Sequence, residues 1–334
     1  MCFAGTGCIG VKAALKYGAV LWLAGLPACR ATPDIAFCKT EFIILGTAQD
    51  AGAPQIGNSG DPAWRDRALR GLAVSAALVD RKNGKRYLFE ATPDLREQLF
   101  LLDSLAPLTA ALPENDAPLG LSGVFLTHAH IGHYAGLMFA GHESAGTQGL
   151  KVYAMPRMAR YLAENGPWSQ LVSFGNIALQ PLSKTKPVSL GPDIVVTPYL
   201  VPHRDEFSET VGFEIATTGK SVLFLPDIDT WDNWARDYGQ TIETRLAAVD
   251  YAFLDATFYD DHELPGRDMS AIPHPRITES MDRFDNLPDS ERAKVRFIHL
   301  NHSNPARFSG SPLYKTIESR GYKMAKRGER YCLD

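Results

Sequence analysis

Phe125-Leu126-Thr127-His128-Ala129-His130-Ile131-Gly132-His133 is the stretch on which the reading of this chain turns. Its apolar start, continuous with Gly123-Val124, has the length of a buried strand. Three imidazoles then fall within six residues. Gly132 argues against one continuous helix through them, so they are expected to project from a loop at a strand end. Neutral imidazole is a good donor to zinc and iron, and imidazoles this close can converge on one or two ions without long-range loop closure.

Strand-sized β-rich runs surround this segment at 42–45, 72–79, 86–89, 123–126, 151–153, 194–200, 211–215, 221–225, 251–254 and 295–300. Helical patterns opened by Pro, Ser, Asp or Thr lie between them at 93–102, 156–165, 231–248, 275–287 and 311–319. The first two runs, on either side of 49–70, can pair antiparallel, whereas the later strands are separated by helices. Two sheets with outer helices fit this order better than a purely parallel doubly wound sheet.

The 334 residues are 45% hydrophobic and 22% charged, the balance of a soluble globular chain. With 34 Lys+Arg against 38 Asp+Glu, a formal charge of −4 supplies no global positive field, which argues against a general nucleic-acid binder and for a small-molecule substrate. The cysteines at 2, 8, 29, 38 and 332 form no CxxC pair and read as neither a zinc knuckle nor a disulfide framework. Nothing in the pattern specifies an oligomeric state.

Residues 1–32 read as a leader, with 33–334 as a single domain. Lys12 and Lys16 precede an apolar run over 17–26, too short to span a hydrocarbon core that needs about 20 residues. Leu26-Pro27-Ala28-Cys29 resembles the bacterial lipoprotein box, which implies export to the periplasmic side and a lipid anchor on Cys29. A cytoplasmic extension from a mis-set start is the alternative.

His128-Ala129-His130-Ile131-Gly132-His133 resembles the HxHxDH signature of the metallo-β-lactamase superfamily. The segment 41–334 is similar to the coenzyme pyrroloquinoline quinone synthesis protein B family. That likeness rests on Leu45-Gly46-Thr47-Ala48 with Pro54-Gln55, on Ala91-Thr92-Pro93-Asp94, on Asp268-Met269 ahead of Ile272-Pro273, and on Ile298-His299-Leu300-Asn301-His302-Ser303-Asn304-Pro305. The resemblance implies an α+β, four-layer αββα sandwich with metals held by loops at one edge.

It further implies His128, His130 and His203 as ligands of a first ion, Asp227 as a bridging carboxylate, and His133 and His299 as ligands of a second. Asp229 is the rival of Asp227, its other role being to cap a helix near Trp231. Gly132 stands where the signature has Asp, so the second site is expected to lack a carboxylate and to bind more weakly. His302 is a candidate to replace it or to serve in acid–base work. Gly57-Asn58-Ser59-Gly60-Asp61 stands where the quinone-synthesis family has a cysteine-rich knuckle.

Asp255-Ala256-Thr257-Phe258, followed by His274, resembles the arrangement in ribonuclease Z and the phosphoribosyl cyclic phosphodiesterases. There the carboxylate orients the His, which donates a proton to the leaving oxygen, a role worth about 10²- to 10⁴-fold. His142 and His262 read as solvated, and Trp64, Tyr134, Trp168 and Phe258 as candidate pocket walls or packing.

The expectation is a hydrolase that uses a metal-bound hydroxide on a small phosphodiester or other ester. Its cofactor would be one or two Zn²⁺, with Mn²⁺ or Fe²⁺ as alternatives. An iron-dependent oxygenase and a non-catalytic metal-binding scaffold are the competing readings.

Overall fold

The computed structural model describes residues 38–108 and 118–334. The leader read over 1–32, with Cys2, Cys8, Lys12, Lys16 and Cys29, lies outside the described residues.

The first strand shows why a run such as Phe42-Ile43-Ile44-Leu45 is apolar at every position rather than alternating. In β1 (Thr40–Gly46), Phe42 and Ile44 face one core while Ile43 and Leu45 face another, because side chains alternate along a strand. The remaining strands of the first sheet are β2 (Ser75–Asp80), β3 (Lys85–Phe89), β4 (Gly123–Phe125), β5 (Leu150–Ala154), β6 (Ile177–Pro181) and, from the end of the chain, β14 (Arg330–Cys332). Their order is β14-β1-β2-β3-β4-β5-β6.

The second sheet holds β7 (Val188–Ser189), β8 (Ile194–Leu200), β9 (Val211–Thr217), β10 (Ser221–Leu225), β11 (Tyr251–Asp255), β12 (Val295–Ile298) and β13 (Lys323–Met324), in the order β13-β12-β11-β10-β9-β8-β7. Each sheet is antiparallel in one part and parallel in the other. β1, β2 and β3 pair antiparallel and β3 to β6 parallel, as β7 to β10 pair antiparallel and β10 to β13 parallel.

Phe42, Phe89, Phe125, Phe213, Phe224 and Phe253 interdigitate between the sheets, with Phe42 5.4 Å from Phe253 and Phe89 5.1 Å from Phe125. Burying each such ring contributes about 1.5–3 kcal/mol. The opposite strand faces are covered by helices. α1 (Leu95–Leu105), α2 (Ile131–Tyr134), α3 (Pro156–Glu164) and α4 (Trp168–Ser173) supply residues to the core outside the first sheet. α5 (Trp231–Tyr238), α6 (Ile242–Ala248), α7 (Ile277–Phe284) and α9 (Pro312–Ser319) do so outside the second, while α8 (Asp289–Arg292) leads into β12. These layers are the four-layer αββα sandwich.

Three expectations are corrected. The helix read over 231–248 is two helices: Gly239, at φ +64°, ends α5 in the left-handed region that glycine adopts without strain, and Thr241 caps α6. Cys38 and Cys332 form a disulfide, because the pairing of β1 with β14 brings their Cα atoms to 5.7 Å across a sequence separation of 294. Gly132 lies within a helical turn, α2, rather than in an open loop. The short strands β7, β13 and β14, of two or three residues, carry too few residues for periodicity to show them, and β6 escaped the sequence reading although it has five. Among the described residues, no helix is long and apolar enough to cross a membrane.

Candidate metal centre

Seven segments that follow strands converge at one edge. Asp50 follows β1, Glu90 follows β3, and the histidine segment follows β4. His203 follows β8, Asp227 follows β10, Asp255 closes β11 and His299 follows β12. Loops on a rigid sheet can thus present side chains far apart in sequence to one point.

The first group is His128, His130 and His203, whose donor atoms lie within 4.8 Å of one another. Each ring is turned by its other nitrogen. His128 Nδ1 meets Thr127 Oγ1 at 2.8 Å, His203 Nδ1 meets Asp229 at 3.0 Å, and His130 Nε2 meets Glu206 at 3.4 Å. Such partners fix ring orientation and raise donor strength. His130 Nδ1 and His203 Nε2 come within 3.2 Å, and His128 Nε2 faces Asp227 at 3.7 Å.

The second group is Asp50, His133, Asp227 and His299. Asp227 Oδ2 lies 3.0 Å from His133 Nε2 and 3.3 Å from His299 Nε2, while its Oδ1 lies 3.5 Å from His203 Nε2, so one carboxylate faces both groups. Asp229 instead holds His203, and Thr230 caps α5.

Asp50 Oδ1 is 3.1 Å from His133 Nε2 and 3.7 Å from His299 Nε2. The expected deficit of a carboxylate at Gly132 is therefore corrected: a carboxylate reaches the group from the loop after β1. A Cβ on residue 132 would stand 2.4 Å from the Asp50 Cα, so only glycine admits that loop. His299 sits at φ +67°, a strained conformation for histidine. Hydrogen bonds from Leu300 N to Thr47 O and from Asn301 N to Thr257 O hold the chain on either side of that turn.

His274 forms the third side. Its Nδ1 is 2.8 Å from Asp255 Oδ2 and 3.4 Å from Asp227 Oδ1. Asp255 is fully buried and accepts hydrogen bonds from Ile228 N, Thr257 N and Thr257 Oγ1, so it is a fixed support for that ring.

Burial works against charge on His128, His130, His133 and His274, and it prevails at His128 and His130, whose pKa values fall below the ordinary histidine range with the help of neighbouring imidazoles. At His133, burial is outweighed by Asp227, Asp50 and Glu90, which raise its pKa well above that range. Burial likewise opposes charge on Asp227, but His299, His203, His133 and His128 hold its carboxyl well below the usual carboxylate range. His274 is raised, burial being overcome by the charge and hydrogen bond of Asp255.

Asp227 Oδ1, His128 Nε2 and His299 Nε2 are buried and have no hydrogen-bond partner among the described residues. Such orphaned donors and acceptors are rare in folded chains. Cations between them would satisfy all three, and the His-rich, carboxylate-bridged donor set suits zinc, manganese or iron.

The chain thus brings together His128, His130, His133, His203, Asp227, His299, Asp255 and His274. It does not bring His302 into either group, because its Nδ1 meets Asn58 Nδ2 at 3.1 Å. Tyr134 and Trp168 are core residues 5.0 Å apart rather than pocket walls, Phe258 is buried beside His274, and Trp64 is partly exposed, its indole bonded to Asn58 O. Asp50, Glu90 and Glu206 escaped the sequence reading. For Asp50 a signal existed: an acidic residue in the small-residue loop Thr47-Ala48-Gln49-Asp50-Ala51-Gly52 directly after a strand.

The family model described as a Beta-lactamase superfamily domain matches residues 85–300. The chain belongs to the metallo-β-lactamase superfamily. Among curated members it is 27% identical over 320 residues to Coenzyme PQQ synthesis protein B of Gluconobacter oxydans, covering 88% of this chain and 99% of that one. It is also 27% identical over 316 residues to the protein of that name from Rhizobium meliloti, covering 86% and 96%.

Among solved superfamily structures, Zn(2+)-bound PqqB from Methylobacterium extorquens aligns with a TM-score of 0.67 at 21% identity, over 87% of this chain and 99% of that one. A diphosphatase of the PhnP family aligns at 0.57 and 19% identity, over 87% and 96%. The short form of human tRNase Z aligns at 0.52 and 14%, over 88% and 99%. The shared sandwich accounts for the residues that gather at its edge.

Proposed function

We propose that this chain is a metal-dependent hydrolase acting on a small phosphodiester or other ester. The observation that carries the reading is Asp227, facing a three-histidine group on one side and Asp50, His133 and His299 on the other, with the Asp255–His274 pair beside it. His128, His130 and His203 would hold one ion; Asp50, His133 and His299 would hold a second, with Asp227 between them. Zinc is the favoured metal, on the donor chemistry and on the zinc in the PqqB structure. Bound ions would supply Lewis-acid chemistry, lowering the pKa of a bound water to about 7 and polarising the oxygen of the scissile group.

The protein's own part is positioning and proton transfer. Asp255 favours the charged form of His274, from which its ring can pass a proton to a leaving oxygen, while Asp229 and Glu206 keep His203 and His130 oriented. A carboxylate beside an imidazole favours the protonated form that a general acid needs.

A second reading is favoured by the likeness to Coenzyme PQQ synthesis protein B across most of the chain. It is an iron-dependent oxygenase on a peptide-derived substrate, for which histidines with a carboxylate also suffice. Metal analysis by mass spectrometry, followed by assays with bis(4-nitrophenyl) phosphate and an oxygen electrode, separates the readings. One or two equivalents of zinc or manganese with phosphodiester turnover support the hydrolase. Iron with oxygen uptake replaces it by the oxygenase, and no metal after reconstitution replaces both by a scaffold.

We also propose that the chain is exported and anchored through Cys29. The Cys38–Cys332 disulfide supports export, since such bonds persist mainly in oxidising compartments. Fractionation with labelled palmitate tests it, and a soluble, unlabelled, uncleaved product overturns it.

A further inference from the structure

A cavity of about 480 Å³ opens beside the metal loops, with Thr47, Ala48 and Leu300 among its lining residues. Four cations line it, Arg70, Arg307, Lys326 and Arg327, and none of the lining residues is an aspartate or glutamate. That is a local excess of positive charge in a chain whose net charge is −4. Arg307 is partly neutralised by Asp61 at 2.5 Å. Among the described residues, Arg70, Lys326 and Arg327 have no carboxylate within ion-pair distance. Arg70 Nε donates to Ala63 O, and an Arg327 amino group donates to the backbone carbonyl of Arg70, which fixes Arg327 beside that segment.

Two buried polar atoms of the lining residues have no partner among the described residues: Arg307 Nε and the hydroxyl of Tyr314, a residue 5% exposed. Leaving such groups unsatisfied costs about 1–3 kcal/mol each. A cavity lined by four cations and by no carboxylate is suited to an anion. Guanidinium forks match phosphate geometry, and three cations without a direct ion pair suit a dianion better than a monoanion. The volume exceeds what inorganic phosphate fills and lies within the range of small-molecule pockets, and Leu69, Phe308 and Met324 offer an apolar wall.

We infer that this cavity binds a small phosphate monoester with an apolar body. It is separate from the residues assigned to the metal centre. It abuts them, because Ala48 bridges to Leu300, which follows His299 directly, and Asp50 lies two residues beyond Ala48.

The test is calorimetric titration of the metal-loaded protein with phenyl phosphate, repeated on protein stripped by chelator, at constant ionic strength to hold screening fixed. Binding is expected in both forms. Arg70→Ala and Lys326→Ala, at exposed positions, should each weaken it about tenfold, the factor for one lost charge-assisted contact. Their melting temperatures without ligand should match wild type, and their metal content should be unchanged. No heat up to 10 mM, on the order of the weakest useful affinity, overturns the site. So does binding that vanishes on metal removal, since phenyl phosphate then sits at the metals, or binding indifferent to both substitutions. Tighter binding of citrate than of phenyl phosphate overturns the phosphate assignment. A protein that binds phenyl phosphate here yet hydrolyses nothing would sink the proposed hydrolase and leave this site standing.

Discussion

Gly132 and Asp50 share one space: a Cβ on residue 132 would stand 2.4 Å from the Asp50 Cα and 2.7 Å from its Cβ. The carboxylate that the superfamily signature places at position 132 is thus matched by one carried in from the loop after β1. Asp50→Ala should remove one equivalent of metal and leave the His128, His130 and His203 group loaded. Because Asp50 is partly exposed, the fold should survive. Gly132→Asp should fail to add a ligand, because it displaces the loop that already supplies one. Metal content by mass spectrometry checks both; two equivalents retained in Asp50→Ala would show that Asp50 is a bystander.

Asp255 is buried for the sake of His274. His274→Ala should lower phosphodiester turnover about 10²- to 10⁴-fold with metal content unchanged, as expected for loss of a general acid. Loss of metal instead would make His274 a ligand. The charged ring is the active form and its pKa is raised, so activity should be present at lower pH and fall as pH rises through that value. Asp255→Asn removes the charge that holds the proton, and the alkaline limb of the pH profile should move to lower pH. A limb that stays in place would separate Asp255 from the proton transfer.

The legible part of the site was the part written in consecutive residues. His128, His130 and His133 announce themselves by spacing, whereas His203, Asp227 and His299 were placed by the family resemblance, each just beyond a strand-sized run. Such runs are legible because both faces are buried, Phe42 and Ile44 between the sheets and Ile43 and Leu45 beneath the helices. Asp50 carried only the faint signal of an acidic residue directly after β1, because its function depends on a gap opposite it, at Gly132, some eighty residues later. No local pattern records a distance across the fold. The Cys38–Cys332 bond was hidden for the same reason, its partners meeting only when β14 lies against β1. Gly239 could have divided the helix over 231–248, since glycine after Tyr238 is a usual stop.

Glu263 should make stability depend on pH in the opposite sense to most carboxylates. Burial pushes its pKa from 4.5 up to about 7, although Ser303 Oγ and Tyr259 N donate to its two oxygens at 2.5 and 2.6 Å. Between those values the folded chain keeps a proton that the unfolded chain has released, so stability falls as pH rises across that window. Glu263→Gln mimics the protonated acid. Its melting temperature should lose less than wild type between pH 5 and pH 8, roughly the two sides of the window. Parallel curves for the two proteins would mean that the carboxyl ionises freely in the folded state.

The disulfide closes nearly the whole described chain, so its loss acts chiefly on the unfolded state. Joining residues 294 apart removes loop-closure entropy, and breaking a native bond of this kind costs about 2–5 kcal/mol. The strand edge it fastens is also held by Glu41, whose fully buried carboxylate accepts from both Arg81 and Arg330, and by Asp334, which accepts from Lys39 N and Thr40 N. Those contacts persist without the bond. Cys38→Ser should therefore lower the midpoint of denaturant unfolding while leaving β14 paired, the metal content intact and the far-ultraviolet dichroism unchanged. Wild type treated with reductant should fall to the same midpoint, because Cys332 is only half-buried. If reduction leaves the midpoint where it was, the two cysteines are not bonded in solution, and the support they lend to an exported chain goes with them.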